Sequence, residues 1–495
     1  GGGYTSIREA VANAADFQVI EVGSGEYHEC LTLSRPVILR AAYDGAVSLL
    51  SSSGETLLSC ASPGVRVVGF RIQQTGGDPT RRGRSSVRAV EVLSGALRLD
   101  RCTVGSEAGS GVIAADGGAV DLQGCTLRGC GKCGLLVFDG GSAACESSTL
   151  AGNGLYGLVV QNGGTATADG SRFGSNKHAG ILAHGKGSVC VSRGNDISAN
   201  GEMGIGVQNG AEVRVERTRV SGNIHAGLFV DGDASKAVVK DSDVSENGVR
   251  GIGVQSGGEA HLQGSRVCSN SQEGVFVSGA RSQVTLQDND VASNGTKGVG
   301  VQSGAASLII ANRILNNAEE GVFVSDPGSQ ATVRDSNVAS NGMKGIGVQS
   351  GGQAEIDGNL IHANQREGIY ISGNGSKALV HNNDITQNGV KGVGIQDGAD
   401  VAVEGNRISG NQYVGVHVYG RGSRGLVQDN DIRDNSLAAV VSEHEGVVQS
   451  AGNRIDGVHE HDLALPSSGE QGSLPSSFEQ HHSSTLPSST LPSTL

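Results

Sequence analysis

Apolar and polar positions alternate in short runs along most of the chain. A typical run, Val275-Phe276-Val277, places β-branched residues at every second position, and such runs end at Gly, Asn, Asp or Ser. Period-two runs bounded by these residues predict short β-strands joined by tight turns. The pattern therefore favours an all-β chain over a helical one.

Asparagines show that the runs recur at a fixed spacing. Their steps are 23 and 24 residues in strict alternation, so the repeating unit is a 47-residue double turn. The thirteen positions are Asn153, Asn176, Asn200, Asn223, Asn247, Asn270, Asn294, Asn317, Asn341, Asn364, Asn388, Asn411 and Asn435. We expect each asparagine to adopt the left-handed conformation of a tight corner and to bond the amides above and below it.

This period predicts the fold. A fixed repeat of 20–50 residues indicates a solenoid, and strands within each repeat make it a parallel β-helix. We predict an all-β parallel β-helix solenoid of about 20 coils, which at ~4.8 Å per coil would be a rod on the order of 90–100 Å long.

A second column of residues keeps the same step and is predicted to face the interior. A slip of one residue would turn the whole column outward, so the register is strongly specified. The column consists of Val104, Leu127, Leu150, Phe173, Ile197, Val220, Val244, Val267, Val291, Ile314, Val338, Ile361, Ile385, Ile408, Ile432 and Ile455.

Three segments depart from the repeat. Residues 4–15 predict an amphipathic helix with Ser6 and Glu9 as a capping box, which would cover the open first coil. Together with the first coils it forms an N-terminal part, residues 1–75. Residues 76–86 contain three arginines and predict an inserted basic loop. Regular coils then occupy residues 87–460, and residues 461–495, rich in Ser, Pro and Leu, predict a disordered tail.

Charge and hydropathy argue against two kinds of partner. With 37 Lys and Arg against 50 Asp and Glu, the net charge is −13, whereas nucleic acid requires a basic face. No apolar run approaches the ~18 residues of a membrane span. The chain opens on Gly1 with neither Met nor a leader, which indicates a fragment or a processed form.

Nine cysteines lie between Cys30 and Cys268, and several occupy interior positions of the repeat. Such placement favours a reducing compartment, cytoplasmic or nuclear, over secretion. Cys125, Cys130, Cys133 and Cys145 are an alternative zinc site, but their spacing lacks the two CxxC pairs that such sites use. We predict no metal and no other cofactor.

The opening of the chain resembles a known superfamily. The resemblance lies in segments 4–11 (YTSIREAV), 19–22 (VIEV), 25–29 (GEYHE) and 33–39 (LSRPVIL), and in the later Asn-x-x-x-Gly-Ile/Val-x-Val coils. These resemble the right-handed parallel β-helix superfamily, which includes pectin-lyase-like enzymes, and its carbohydrate-binding-and-sugar-hydrolase repeats. Such repeats also occur in F-box proteins, where the β-helix recruits protein substrates to a ubiquitin ligase. Over residues 1–460 the resemblance implies a right-handed β-helix.

The catalytic motifs of that superfamily do not occur in the chain. It contains no Asp-Asp pair and no Gly-His-Gly, and Asp78-Pro79-Thr80 lacks the His of an epimerase-like motif. General acid–base chemistry requires convergent titratable groups, which regular repetition rarely produces. We therefore predict a non-catalytic binding scaffold without catalytic residues, for protein substrates or carbohydrate. The alternative is a polysaccharide-acting epimerase or lyase.

Two neighbouring columns in the second half carry the candidate binding chemistry. One alternates in charge and is predicted to be self-neutralising: Arg250, Glu273, Lys297, Glu320, Lys344, Glu367 and Lys391. The other places a ring on every second coil, with glycine between: Phe229, Phe276, Phe323, Tyr370 and His417, bordered by Gln255, Gln302, Gln349 and Gln396.

The ring column allows two interpretations. If Val275 and Val277 point inward, Phe276 points outward, and a ring recurs every ~9.6 Å. Exposed rings beside amides suit a polysaccharide or an extended protein ligand. In the alternative, each ring only covers the glycine of the adjacent coil.

Overall fold

The computed structural model describes residues 3–80, 87–456 and 458–459. One short helix is followed by strands that recur three to a coil and stack into three long sheets. This confirms the predicted right-handed parallel β-helix, with about 19 turns.

The first strand of each coil belongs to a 19-stranded sheet, here the first sheet. Its strands are Val19–Val22, Ile38–Ala41, Val65–Val68, Ala96–Asp100, Ala119–Gln123, Ser142–Glu146, Thr165–Asp169, Val189–Arg193, Glu212–Glu216, Lys236–Lys240, Glu259–Gln263, Gln283–Gln287, Ala306–Ile310, Gln330–Arg334, Gln353–Asp357, Lys377–His381, Asp400–Glu404, Arg424–Gln428 and Val447–Ala451.

The next strand of each coil is short and belongs to the second sheet. Its strands are Gly25–Tyr27, Val47–Ser51, Phe70–Gln74, Thr103–Ser106, Thr126–Arg128, Thr149–Ala151, Arg172–Gly174, Asp196–Ser198, Arg219–Ser221, Asp243–Ser245, Arg266–Cys268, Asp290–Ala292, Arg313–Leu315, Asn337–Ala339, Leu360–His362, Asp384–Thr386, Arg407–Ser409, Asp431–Arg433, Arg454–Ile455 and Val458–His459.

The last strand of each coil belongs to the third sheet, which carries the candidate site. Its strands are Leu31–Leu33, Leu58–Cys60, Arg88–Val92, Ser110–Ala114, Cys133–Val137, Tyr156–Gln161, Ile181–His184, Ile205–Gln208, Leu228–Asp231, Ile252–Gln255, Val275–Ser278, Val299–Gln302, Val322–Ser325, Ile346–Gln349, Ile369–Ser372, Val393–Gln396, Val414–Tyr419 and Ala438–Glu443.

The register is the one that the sequence predicts. Val291 pairs with Ile314 on the next coil, and Ile314 pairs with Val338. Every residue of this column from Val104 to Ile432 is at most 1% exposed, while the last one, Ile455, is half-buried. Burial of each such side chain stabilises the fold by roughly 1.5–3 kcal/mol, so the interior column makes the coils stack in one register only.

The asparagine column lies at the turn between the second and third sheets and is buried. The Asn317 amide donates to Val291 O (3.1 Å) and to Asn341 Oδ1 (3.0 Å), and its Oδ1 accepts from Asn294 Nδ2 (2.9 Å) and N (3.1 Å). The predicted bonding above and below is therefore present. The predicted left-handed conformation is wrong for the asparagine itself, because the preceding residue adopts it, as Asn316 does at φ 56°.

The N-terminal helix spans Ile7–Asn13 and is shorter than the predicted 4–15. Ser6 is the N-cap and accepts from Glu9 N at 3.2 Å. Glu29, from the first coil, accepts from Ile7 N (3.1 Å) and Arg8 N (2.9 Å), which satisfies two donors of the first turn. The apolar face of the helix is buried against the first coil, as predicted for a lid.

The two remaining segments are described only in part. Residues 76–80 contain no strand, and residues 81–86 of the predicted basic loop lie outside the described residues. The coils on either side of this segment pair directly, Ile72 with Val104. The predicted disordered tail, 461–495, also lies outside the described residues. Within the described part of the chain, the single helix is far too short to cross a membrane.

Candidate functional site

The ring column lies on the outer surface of the third sheet. Val275 and Val277 are fully buried in the interior, whereas Phe276, between them on the strand, is half-buried and points outward. Its register partners are Gly253 on the coil below and Gly300 on the coil above. Rings and glycines thus alternate along the rod, as the sequence predicts.

Each ring packs over the glycine of the following coil. A Cβ built on Gly300 would lie 3.5 Å from Phe276, and one on Gly347 would lie 3.4 Å from Phe323. The corresponding distance from Gly394 to Tyr370 is 3.2 Å. The rings therefore cover the glycines, as the alternative interpretation requires, and they are half-buried rather than fully exposed.

The charge column covers the rings from the coil below. The Arg250 guanidinium lies 3.8 Å from the centroid of Phe276, Lys297 Nζ lies 5.1 Å from that of Phe323, and Lys344 Nζ lies 4.9 Å from that of Tyr370. Cations at these distances are attracted by the ring quadrupole. The two columns therefore form one surface, here called the ring–cation face, in which one side of each of these three rings is occupied.

Neighbouring members of the charge column neutralise one another. Glu273 accepts from Arg250 at 3.1 Å, and Glu320 lies 3.1 Å from Lys344 and 4.0 Å from Lys297. The sequence did not reveal how deeply this column is buried: Glu320 and Lys344 are only 4% and 8% exposed. Because a buried charge that loses its partner is costly, these ion pairs fix the side chains firmly over the sheet.

A column of glutamines borders the rings on the other side. The Gln255 amide donates to Asp231 Oδ1 at 3.2 Å, and Gln396 Oε1 accepts from the Tyr370 hydroxyl at 2.9 Å. Within the described part of the chain, the side-chain amides of Gln302 and Gln349 have no hydrogen-bond partner. These two half-buried amides are available to a ligand beside Phe323.

The upper end of the ring column differs from the prediction. His417 is only 2% exposed, so it is not the exposed ring that the sequence predicts. Its Nε2 lies 3.2 Å from Glu443 Oε2, and Tyr413 and Tyr419 lie beside it at centroid distances of 6.5 and 5.8 Å. Its Nδ1 is buried without a hydrogen-bond partner among the described residues.

Titratable groups converge around His417. Burial lowers the pKa of His417, as does the neighbouring charge of Lys391, while Glu443 opposes the shift. Burial likewise lowers the pKa of Lys391, whose ammonium lies 4.0 Å from Glu367. The sequence analysis missed Glu443 and Tyr419, although Tyr419 follows Gln396 at the repeat spacing and pairs with it.

The cysteines do not form a zinc site. Among the described residues, no group of three or more His, Cys, Asp or Glu side chains is placed to hold a metal ion. All nine thiols are free, and eight of them are buried. Burial raises the pKa of Cys130 to about 11 and those of Cys133 and Cys145 to about 12, so these thiols fill interior space as neutral groups.

The sequence matches one protein family. The family described as "Right handed beta helix region" matches in four overlapping segments, residues 51–193, 141–291, 226–385 and 320–469. Curated proteins yield no match to the chain.

Solved structures of three kinds are similar in fold. The mannuronan C-5 epimerase AlgE6 A-module of Azotobacter vinelandii is 16% identical, with 90% of this chain and 93% of that one covered and a TM-score of 0.31. Pectate lyase Pel9A is 13% identical (67% and 80% covered, TM-score 0.30). The receptor-binding tailspike of bacteriophage Det7 is 11% identical (69% and 72% covered, TM-score 0.32). Similarity this low carries no information about what the present chain binds.

Proposed function

The chain belongs to the right-handed β-helix family, and we propose that it is a non-catalytic scaffold that recruits a protein partner through the ring–cation face of its third sheet. The observation that carries this proposal is the regular placement of half-buried rings with fixed cations on alternate coils from Arg250 to Tyr370. A rigid row of aromatic and cationic groups beside unpaired amides is a surface built for contact.

The cations that lie over the rings favour a protein ligand over a polysaccharide ligand. Stacking of a sugar on an aromatic side chain requires a free ring face, and Arg250, Lys297 and Lys344 each occupy the face of a ring. What remains accessible is part of each half-buried ring, the half-buried side chains of Arg250 and Lys297, and the amides of Gln302 and Gln349. These suit the mixed apolar and carbonyl surface of a peptide.

The spacing of the rings suggests the conformation of that peptide. Rings on alternate coils recur every ~9.6 Å along the rod. A polyproline II helix has three residues per turn and a rise of about 3.1 Å per residue, so it repeats every ~9.3 Å. An extended segment in this conformation would present one equivalent position to Phe276, the next to Phe323 and the third to Tyr370.

A second candidate function is supported by the cluster around His417. Lys391, Glu367, His417 and Glu443 converge there, as the active site of a polysaccharide epimerase or lyase would require. Against this function, His417 is 2% and Lys391 is 9% exposed, so neither group reaches a polymer lying on the surface. Recruitment of a protein therefore remains the better-supported function.

The proposal is tested by removing two adjacent rings. Phe276→Ala combined with Phe323→Ala should abolish binding on an array of extended, proline-containing peptides, because two of the three positions in register are lost. The control is Thr285→Ala with Thr332→Ala, on the first-sheet strands that follow these two rings in the chain, which should leave binding unchanged. Circular dichroism establishes that both variants remain folded.

Other outcomes of this experiment would support a different surface, a different ligand or an enzymatic function. Binding that survives the loss of both rings would exclude the ring–cation face. A signal on a glycan array that the double variant loses would replace the peptide by a carbohydrate. Turnover of a polyuronate by the unaltered chain, abolished in Lys391→Met, would establish the second function instead.

A further inference from the structure

A cleft on a different face, the outer surface of the second sheet, is walled by three arginines. The cleft has a volume of about 500 Å³ and is lined by Arg71, Arg128 and Arg172, with Gln73, Thr103 and Ser175 among the polar groups between them. It lies near the N-terminal end of the rod, away from the ring–cation face, and its function is independent of the one proposed above.

The register shows how the cleft is built. One outward column runs Arg71, Thr103, Thr126, Thr149, Arg172, each residue paired with the next. Three short threonine side chains therefore lie between two long arginines, which are four coils, or ~19 Å, apart along the rod, and of these threonines Thr103 lines the cleft. Arg128 lies in the adjacent outward column, and its neighbour on the coil above, Ala151, is small and uncharged.

Two of the three arginines of the cleft, Arg71 and Arg128, lack the carboxylate partners that several arginines have elsewhere on the second sheet. Above the cleft the column alternates Arg and Asp except at Asn337 and Leu360, and three of its ion pairs lie within 4.0 Å: Arg266 to Asp243 at 3.8 Å, Arg313 to Asp290 at 4.0 Å, and Arg407 to Asp384 at 2.9 Å. In the cleft, threonines stand where the aspartates would be.

The cleft is therefore a concentrated positive charge on an acidic chain. Among the described residues, no carboxylate lies within 4.0 Å of Arg71 or Arg128, whereas Arg172 lies 3.9 Å from Asp196, as close as the paired arginines above the cleft. All three arginines are exposed. Guanidinium groups bind oxyanions through paired N–H donors, and phosphate matches this geometry best.

We propose that this cleft binds a phosphorylated peptide segment, with the phosphate held by the guanidinium groups and the hydroxyl of Thr103 that line it. A span of ~19 Å accommodates five or six residues of an extended chain at ~3.3–3.6 Å each. Clusters of arginine are a recurring means of recognising phosphorylated side chains in peptides. Thr103 and Gln73 add polar contacts on either side of the phosphate.

The test uses the full chain and a peptide library with a central phosphoserine or phosphothreonine, alongside the unphosphorylated and glutamate-substituted libraries. Fluorescence anisotropy should show binding of the phosphorylated peptides only, and inorganic phosphate should compete with them. Arg128→Gln should weaken this binding by about tenfold or more, because a charge-assisted contact is lost.

Arg266→Gln is the matched control. It removes the same charge from the outer surface of the same sheet, but Arg266 is paired with Asp243 and lies outside the cleft. It should leave peptide affinity unchanged. Both positions are exposed, so neither variant should unfold the chain.

Four results would overturn the proposal. These are no binding of the phosphorylated library, equal affinity for its unphosphorylated counterpart, and an equal loss of affinity in Arg266→Gln and Arg128→Gln. The fourth is tighter binding of a sulfated oligosaccharide, which would assign the cleft to a different polymer. The Phe276 and Phe323 double variant retains the cleft, so failure here is distinguishable from failure of the ring–cation face.

Discussion

At the scale of single residues, the buried asparagines show what a repeat can and cannot reveal. Their spacing identified the column, and their bonding to neighbouring coils follows from the four hydrogen-bonding groups of an amide. Their backbone conformation did not follow, because the preceding residue takes the left-handed turn. At that preceding position the chain has Ser, Ala, Glu and Gln as well as Gly. Because no single residue type marks the position, the sequence does not reveal its left-handed conformation.

Asn317→Leu should lower stability strongly, because it leaves the buried backbone N–H of Asn294 without its partner and removes one hydrogen bond each from Asn294 Nδ2 and Val291 O. Each buried polar group that loses its partner costs roughly 1–3 kcal/mol, so a total loss of about 2–4 kcal/mol is expected. Thermal unfolding followed by circular dichroism measures it. Gln283→Leu, an exposed amide on the first sheet, is the control and should change little. Equal melting temperatures for the two variants would show that the column contributes no stability.

At the scale of the strand, two nearby glycines have opposite roles. Gly300 lies within the strand Val299–Gln302, and Gly298 lies in the turn that precedes it. A Cβ on Gly298 would lie 2.5 Å from Gly321 O and 2.8 Å from Asn317 Nδ2. A Cβ on Gly300 would lie no closer than 3.5 Å to any atom and would meet only side chains. Gly298 is required by the close approach of the next coil, whereas Gly300 leaves room for a ring.

Gly298→Ala should therefore destabilise the fold by about 3 kcal/mol, since backbone atoms cannot move aside as side chains can. Gly300→Ala should be nearly neutral. The two variants differ by two positions in one coil, and chemical denaturation compares them directly. A neutral Gly298→Ala would mean that the coils separate more easily than their packing indicates.

The sequence revealed a buried column only where residues of one kind recur at a fixed step. Val291 and its column were predicted because apolar residues at a fixed step signal an interior. A second buried polar column, which includes Asn289, Asn359 and Asn406 at the turn between the first and second sheets, went unnoticed. Its lower coils use Cys, Ser and Thr instead, so no single residue type marks it.

The candidate site could be located but not characterised from the sequence. The outward direction of Phe276 followed from strand alternation. The placement of Arg250 over that ring depends on the rotamer of its long side chain and on how adjacent coils are offset from one another. The repeat spacing in the sequence specifies neither. The burial of His417 depends on Tyr413, Tyr419 and Glu443, which come from two different coils.

At the scale of the whole molecule, the N-terminal helix closes the first coil. Removal of residues 1–15 should expose Leu31 and Leu33 and leave the lowest strands as unpaired edges, which promote association. We expect a lower melting temperature and self-association detected by light scattering. Ser6→Ala, which removes the N-cap and the hydrogen bond of its hydroxyl to Glu29, should cost about 1 kcal/mol and leave the chain monomeric. A truncated chain that stays monomeric and equally stable would show that the helix is not a lid.

The asparagine column also gives the rod an electrical direction. From Asn153 to Asn435, each side-chain Nδ2 donates to the Oδ1 of the next asparagine towards the C-terminus. The amide dipoles are thus aligned head to tail, like peptide units in a helix, with their positive ends towards the last coils. A structure that repeats itself every 47 residues nonetheless has two inequivalent poles.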